Sequence, residues 1–233
     1  MAGMPESARG SAQKTVSLPF ADRSEAGRLL GALLLRLSAD PANGLSPGRA
    51  VVLALPRGGV PVALAVAAAL HAPLDVLVTR KIGYPPQPEL GVGALAEGGQ
   101  PVFDEEMLAR LGLTAAALRP VVRRERAELA RRVVAYRGGP LTMAMAGRDV
   151  IVVDDGLATG VTARAALRAV RGAAAGRTIL AVPVAPSGSA AAMHGEADLV
   201  VALATPPGFR AVGQWYQSFG QLTDADVIKL LSS

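Results

Sequence analysis

The sequence predicts an α/β fold built on a doubly wound, mostly parallel sheet flanked by helices. Three observations point there. Short apolar runs recur without polar alternation, at Val51–Leu55, Asp149–Val153 and Ile179–Val184; such runs mark strands buried on both faces. Stretches with helical spacing lie between them, the order that gives parallel strands with crossover helices. The composition is 51% hydrophobic but only 3% aromatic, rich in Ala, Val, Leu and Gly, which suits helices packed closely on a sheet.

The elements follow in order. Residues 1–17 are small and polar, and are expected to form a tail ahead of a domain spanning 18–233. Asp22 or Ser24 caps a helix carrying Leu29, Leu30, Leu33, Leu34 and Leu37 at helical spacing. A loop over Pro41–Pro47 leads to the strand Val51–Leu55, the turn Pro56–Gly59 and a buried helix Val60–Leu70. Leu74–Thr79 reads as a second strand and Ile82–Glu89 as a Pro- and Gly-rich loop. Leu90–Leu95 reads as a strand with a return at Pro101–Phe103, and Asp104–Tyr136 as a basic helical insertion, about residues 104–137. Strands at Asp149–Val153, Ile179–Val184 and Leu199–Leu203 alternate with helices at Thr162–Arg171 and Ser187–Met193, and Asp224–Leu231 closes as a helix.

The totals exclude several chemistries. With no Cys there is no disulfide framework, thiolate nucleophile or Cys-ligated zinc. Two histidines in unrelated contexts argue against a His-rich metal site. No apolar run reaches the length of a membrane span, and residues 1–16 lack a signal-peptide core, so a soluble, cytoplasmic protein without membrane partners is expected. The net charge of +5 suits nucleic acid or an anionic phosphate substrate equally.

The segment with most chemical content is Val150–Thr162. A buried strand delivers Asp154 and Asp155. The loop Gly156, Leu157, Ala158, Thr159, Gly160, Val161, Thr162 then enters a helix. Its backbone amides and hydroxyls suit an anion at a helix N-terminus, and its glycines permit close approach. Carboxylates cannot bind that anion. They suit neighbouring hydroxyls, as on a ribose, or a metal. A strand–turn–helix corner with solvated aspartates would cost two charges beside buried apolar residues. The absence of Gly-Lys-Thr/Ser rules out a Walker A loop.

Other candidates are weaker alone. Arg57 precedes Gly58 and Gly59 at a helix start, where amides and a guanidinium suit pyrophosphate, although Arg-Gly-Gly turns are common. Arg80 and Lys81 are two cations at an expected strand end, fit to neutralise a leaving pyrophosphate or simply solvated; Glu89 is a lesser candidate for a magnesium or acceptor contact. Phe209, Trp215, Tyr216 and Phe219 are half of the aromatics, forming either a base-stacking hood or a hydrophobic plug. Arg119, Arg123, Arg124, Arg126, Arg131, Arg132 and Arg137 lie on the insertion and read chiefly as a solvated helix face, partly paired with Glu125 and Glu128.

Val150–Thr162 resembles the thirteen-residue signature by which type I phosphoribosyltransferases bind 5-phosphoribosyl pyrophosphate (PRPP). The resemblance implies that Asp154 and Asp155 bind the ribose hydroxyls, and touch Mg²⁺ only through PRPP. It implies that Ala158–Thr162 holds the 5-phosphate, and that Arg57, Gly58 and Gly59 form a pyrophosphate loop, often with a cis peptide. It makes Arg57, Arg80 and Lys81 the catalytic candidates beside a flexible loop, and adds a small hood to the fold. The insertion exceeds the minimal family core. Leu53–Val62, Val78–Gly93, Ile151–Thr162 and Phe209–Phe219 are similar to a bacterial group of phosphoribosyltransferase-domain proteins, which does not imply a particular acceptor. The 6-oxopurine members carry an Asp where Ala158 stands here, so the resemblance argues against hypoxanthine or guanine. The expected reaction is phosphoribosyl transfer to a nitrogenous acceptor, a nucleobase first, by a homodimer using Mg²⁺. The rival is a non-catalytic PRPP or nucleotide sensor that binds RNA through the basic helix. No side chain stands out as the general base.

Overall fold

A computed structural model describes residues 16–232 apart from 41, 42 and 44. The expected tail therefore lies outside the described residues, save Val16 and Ser17, and part of the Pro41–Pro47 loop does too. Helices α1 (Arg23–Ser38) and α2 (Gly59–Leu70) enclose strand β1 (Ala50–Ala54) in sequence, and β2 (Leu74–Val76) follows. After an antiparallel subdomain come β6 (Asp149–Val153), α5 (Val161–Gly172), β7 (Arg177–Val184), α6 (Ser187–Ala192), β8 (Leu199–Ala204) and α7 (Asp224–Leu231). The five strands form one parallel sheet in the order β2-β1-β6-β7-β8.

Every residue of β1 and β6 is buried, so the strand period of two sorts the apolar side chains between the faces. Val52, Ala54, Ile151, Val153 and Ile179 pack with Leu30 and Leu34 of α1 and Val62 and Val66 of α2. Val51, Leu53, Val150, Val152 and Leu180 pack with Ala163, Ala166, Leu167 and Val170 of α5. Both faces are covered, as the missing polar alternation requires. Asp22 rather than Ser24 caps α1, accepting from the Glu25 amide at 2.8 Å.

The chain departs from expectation between residues 79 and 96. The segment read as the end of a second strand followed by a loop is a hairpin of β3 (Thr79–Tyr84) and β4 (Gln87–Ala96), extended by β5 (Val102–Phe103) into a separate three-stranded antiparallel sheet. Pro85 and Pro86 form the two-residue connection between the paired residues Tyr84 and Gln87. Pro88 falls where the register shifts, a bulge that needs no ladder amide from it. Arg80 and Lys81 consequently lie inside β3, not at the carboxyl end of a parallel strand.

The insertion is two helices rather than one. Asp104 caps α3 (Glu105–Leu111), which stops at Gly112 with φ +63°. The basic helix α4 (Arg119–Arg137) buries Val121, Glu125, Leu129, Val133 and Tyr136 along one stripe. Arg119, Arg123 and Arg126 are exposed together along a flank of that stripe.

Helices α1 and α2 meet closely because Gly27 has no side chain. A Cβ there would stand 2.6 Å from the Val62 carbonyl oxygen and 2.9 Å from the Ala65 Cβ. Gly27→Val is therefore expected to lower unfolding free energy by about 1–3 kcal/mol through overpacking. Gly48→Ala, with open space around it, should be nearly neutral. Urea melts of the two variants decide the point: a Gly27→Val protein as stable as wild type would show that the helices can part at no cost.

Candidate functional site

The strand order reverses between β1 and β6. From β1 the chain winds outward to β2; from β6 it winds the other way to β7 and β8. In open α/β sheets ligands gather outside the carboxyl ends of strands at such a switch point. The two loops singled out in the sequence leave these adjacent strands side by side. The Leu55 amide donates to the Val153 carbonyl at 2.8 Å. Each loop then starts a helix, α2 at Gly59 and α5 at Val161, so two helix N-termini face one crevice; at α2 the Gly59 and Val60 amides are already taken by the Leu55 and Arg57 carbonyls.

The Arg57–Gly59 turn lies directly against the acidic pair. A Cβ on Gly58 would collide with the Asp155 carboxylate, and one on Gly59 would come within 2.6 Å of the Val153 carbonyl and 3.0 Å of the Asp154 Cα. The paired glycines are thus a requirement of this contact. The Pro56–Arg57 peptide is cis.

Asp154 and Asp155 are partly buried. The Asp155 amide donates to Asp154 Oδ1 at 2.9 Å and orients the first carboxylate. Burial pushes the Asp154 carboxyl well above its ordinary range, and the charge of Asp155 adds to the rise. Burial also raises Asp155, opposed by the hydrogen bond and charge of Arg23. That arginine has no counterpart in the sequence reading. From the start of α1 its Nε donates to Asp155 Oδ2 at 2.8 Å, its NH1 donates to the Gly220 carbonyl at 2.9 Å, and its guanidinium lies 3.9 Å from the Phe219 ring centre.

The loop after the acids is open to solvent at Ala158 and Thr159 and turns into α5 through Gly160, at φ +80°. The Leu157 amide is used by the Val184 carbonyl. Those of Ala158, Thr159 and Gly160 have no acceptor among the described residues. Ser189 of α6, also missed from sequence, donates to the Ala158 carbonyl at 2.6 Å and holds the loop from outside. Gly156, Thr159, Gly160, Val161 and Thr162 thus stand around one turn beside the carboxylates, with the amides of a helix start among them.

Of the three cations, only Arg57 stands on the crevice loops. Its NH1 is 3.5 Å from Asp224 Oδ1. Arg80 is engaged elsewhere: its Nε and NH2 donate to Glu125 Oε2 at 3.0 and 2.6 Å, fastening β3 to α4. Lys81 reaches across the hairpin to Glu89, donating to its carbonyl at 2.7 Å with the carboxylate 3.4 Å away. The aromatic segment packs as a plug. Phe20 and Tyr216 are buried with ring centres 5.4 Å apart, the backbone at Phe20 bonds to that of Trp215 and Gln217, and the Tyr216 hydroxyl donates to the Asp155 carbonyl at 2.5 Å.

Comparison with known proteins places the chain in a family. The family model described as "Phosphoribosyl transferase domain" matches residues 25–198. The chain belongs to this family. It is 47% identical over 213 residues to the Mycobacterium tuberculosis proteins named "Putative phosphoribosyl transferase Rv0571c" and "Putative phosphoribosyl transferase MT0597". The match takes in 91% of this chain and 46% of each relative, so the chain spans about half the length of the curated relatives it matches. The crystal structure of TT1426 from Thermus thermophilus superposes with a TM-score of 0.74 at 41% identity, covering 92% of this phosphoribosyltransferase-family chain and 98% of that one. No helix among the described residues is long and apolar enough to cross a membrane.

The raised Asp154 carboxyl gives a signed expectation. A carboxyl whose folded pKa exceeds its unfolded value favours the fold when protonated, and that contribution is lost as pH rises through the raised value. At pH 8 the ionised group is therefore a burden that an amide would lack. Asp154→Asn should melt higher than wild type at pH 8, by roughly 2–4 °C for each kcal/mol relieved, with the gap narrowing toward pH 4. Calorimetric scans across that range test it; an Asn variant less stable at pH 8 would mean that the carboxylate is not held against its own desolvation.

Proposed function

We propose that the chain is a PRPP-binding phosphoribosyltransferase that transfers the 5-phosphoribosyl group to a nitrogenous acceptor and releases pyrophosphate. The observation that carries the reading is the meeting of the Arg57–Gly59 turn, the acidic pair and the Ala158–Thr162 turn at the β1–β6 switch point of a phosphoribosyltransferase-family chain.

In this reading the amides of Ala158–Thr162 and the α5 N-terminus hold the 5-phosphate. Asp154 and Asp155 accept hydrogen bonds from the ribose hydroxyls. Arg57 and the Gly58 amide receive the pyrophosphate, and Gly59, whose own amide is bonded to the Leu55 carbonyl, lets the loop approach closely. The acceptor nitrogen forms a bond to C1 as the C1–oxygen bond to pyrophosphate breaks, and the departing group keeps the electron pair. Positive charge spreads over the sugar ring in the transition state, so the protein's part is positioning and charge stabilisation. Mg²⁺ suits the leaving pyrophosphate, whose charge it would neutralise. No cluster of three or more candidate ligands occurs among the described residues; Asp154 and Asp155 would meet the metal only indirectly, through PRPP.

Burial separates the remaining two cations. Lys81 is 46% exposed and its partner Glu89 is 96% exposed. Such a pair contributes little and can open readily, so Lys81 stays a candidate for the pyrophosphate. Arg80 would have to abandon the buried Glu125 carboxylate, which disfavours a catalytic role. Ala158 in place of an acid keeps the acceptor reading away from 6-oxopurines. The expectations of a homodimer and a cytoplasmic location accompany this function.

One observation favours the regulator. Arg119, Arg123 and Arg126 share an exposed helical face. Salt-dependent RNA binding that changes on adding PRPP would support a sensor, whereas turnover of PRPP with a nucleobase panel supports the enzyme. Asp154→Asn combined with Asp155→Asn is expected to abolish PRPP binding in calorimetric titration with Mg²⁺ while circular dichroism stays unchanged. Undiminished affinity in the double variant would refute the assignment of the acidic pair.

A further inference from the structure

Resting on the PRPP reading, we infer that Asp224 is the positioning residue for Arg57, and that the basic helix α4 is the frame holding Asp224 in place. Asp224 is the first residue of α7, yet the helix does not use its carboxylate as a cap. Thr223 and Asp226 form the capping box there, with the Thr223 side chain accepting from the Asp226 amide and the Asp226 side chain from the Thr223 amide. The Asp224 carboxylate points away from this arrangement toward two other elements.

On one side stands α4. The Tyr136 hydroxyl donates to Asp224 Oδ1 at 2.7 Å, and Arg131 NH2 donates to Oδ2 at 3.0 Å. Arg131 is itself oriented by Glu128, to which its Nε and NH2 donate at 2.7 and 2.9 Å, and Glu128 also takes Arg132 Nε at 2.9 Å. On the other side stands the pyrophosphate loop, with Arg57 NH1 at 3.5 Å from Oδ1. The carboxylate is the one anion paired with Arg57 among the described residues.

The surroundings keep Asp224 charged. Burial opposes ionisation, but the hydrogen bonds from Tyr136 and Arg131 and the charges of Arg132 and Arg131 hold its carboxyl down to about 2. Tyr136, raised to about 12 by burial and by this hydrogen bond, remains a donor at neutral pH. A fixed carboxylate therefore faces Arg57 whether or not substrate is present. Only one terminal nitrogen of the guanidinium is turned to it. A guanidinium carries five N–H donors in a rigid plane, so the rest stay available to a phosphate. Because Arg131 and Tyr136 already balance Asp224, its repulsion of an incoming pyrophosphate is muted, and its main effect is to restrict a long side chain that is about one-third exposed. Immobilising such a side chain in advance removes that ordering cost from ligand binding.

This also absorbs part of the Arg-rich insertion, whose chemistry the sequence left open. Arg131 and Arg132 face the α7–Arg57 junction through Glu128 and Asp224, apart from the solvent face of Arg119, Arg123 and Arg126.

The test compares three probes, magnesium pyrophosphate, PRPP with Mg²⁺ and ribose 5-phosphate, by calorimetric titration of the full chain. Ribose 5-phosphate has the phosphate and hydroxyls but nothing for Arg57 to hold. Asp224→Asn should weaken pyrophosphate and PRPP by about three- to tenfold and leave ribose 5-phosphate within about twofold. Asp224→Glu, which retains the carboxylate, should recover part of the loss. Tyr136→Phe should shift the same two ligands in the same direction by less. Asp226→Ala breaks the capping box without facing Arg57, and should leave the ratio of pyrophosphate to ribose 5-phosphate affinity unchanged. The inference is overturned if Asp224→Asn binds pyrophosphate as well as or better than wild type, if ribose 5-phosphate weakens equally, or if Asp226→Ala reproduces the effect. Wild-type protein that binds neither PRPP nor pyrophosphate would instead refute the site reading on which this role rests.

Discussion

The crevice exists because β1 and β6 are hydrogen-bonded neighbours whose following loops have no room for a side chain between them. The Leu55 amide reaches the Val153 carbonyl, Gly58 faces the Asp155 carboxylate, and Gly59 lies under the Val153 carbonyl and the Asp154 Cα. Any Cβ at either glycine would push the Arg57 loop off the acidic pair. Loop and carboxylates would then no longer border one space, and the cradle proposed for PRPP would be broken. The buried β1 and β6 strands underneath supply the stiffness this demands, since close-packed interiors transmit strain instead of absorbing it.

Much of that arrangement was legible in the sequence, and the reason is local. A strand buried on both faces has an uninterrupted apolar run, so Asp149–Val153 could be bounded from the residues alone, and Asp224–Leu231 was read as the closing helix. The Gly-Gly and Thr-Gly turns are short-range signals for backbone close to a ligand. The hairpin of β3 and β4 was hidden because Pro85, Pro86 and Pro88 argue for a loop unless it is known that two form the connection and the third sits in a bulge. That fact belongs to the pairing partner and not to the segment. Arg23, Ser189 and Asp224 were hidden more thoroughly. Arg23 meets Asp155 across 132 positions, and nothing in Asp22–Arg23–Ser24 distinguishes a guanidinium bound for an active crevice from one on a helix surface.

The basic helix shows how a single compositional feature divides once packed. Arg80 and Arg124 share Glu125, Arg131 and Arg132 share Glu128, and Arg137 pairs with Glu97 and lies 3.6 Å from Asp75. Arg131 and Arg137 therefore fasten α4 onto α7, β2 and the residue after β4, Glu125 holds Arg80 of β3, and Arg124 and Arg132 pair within the helix. Only the arginines turned outward retain the character that a count of charges suggests. A net charge of +5 is in this respect a poor guide to partners, because it weighs a guanidinium inside an ion pair equally with one in solvent.

Most groups on the crevice are oriented by residues that belong to no motif. Arg23 holds the second carboxylate, the Asp155 amide holds the first, Ser189 holds the Ala158 carbonyl, and Asp224 faces Arg57. Apart from that one amide, these supports come from α1, α6 and α7, elements that contribute none of the recognition residues. The division has an energetic logic. Two carboxylates raised by burial are a standing cost to the fold. They persist in ionised form only if cations and donors outside the loop offset them, yet those partners must leave some lone pairs open for a sugar. Arg23 meets both conditions: it touches one oxygen of Asp155 and spends its remaining contacts on the Gly220 carbonyl and the face of Phe219. The aromatic cluster that brings Gly220 and Phe219 near α1 thereby acts on the acidic pair through Arg23, with Phe20 and Tyr216 buried in it and Phe209, Trp215 and Phe219 half-buried at its edge.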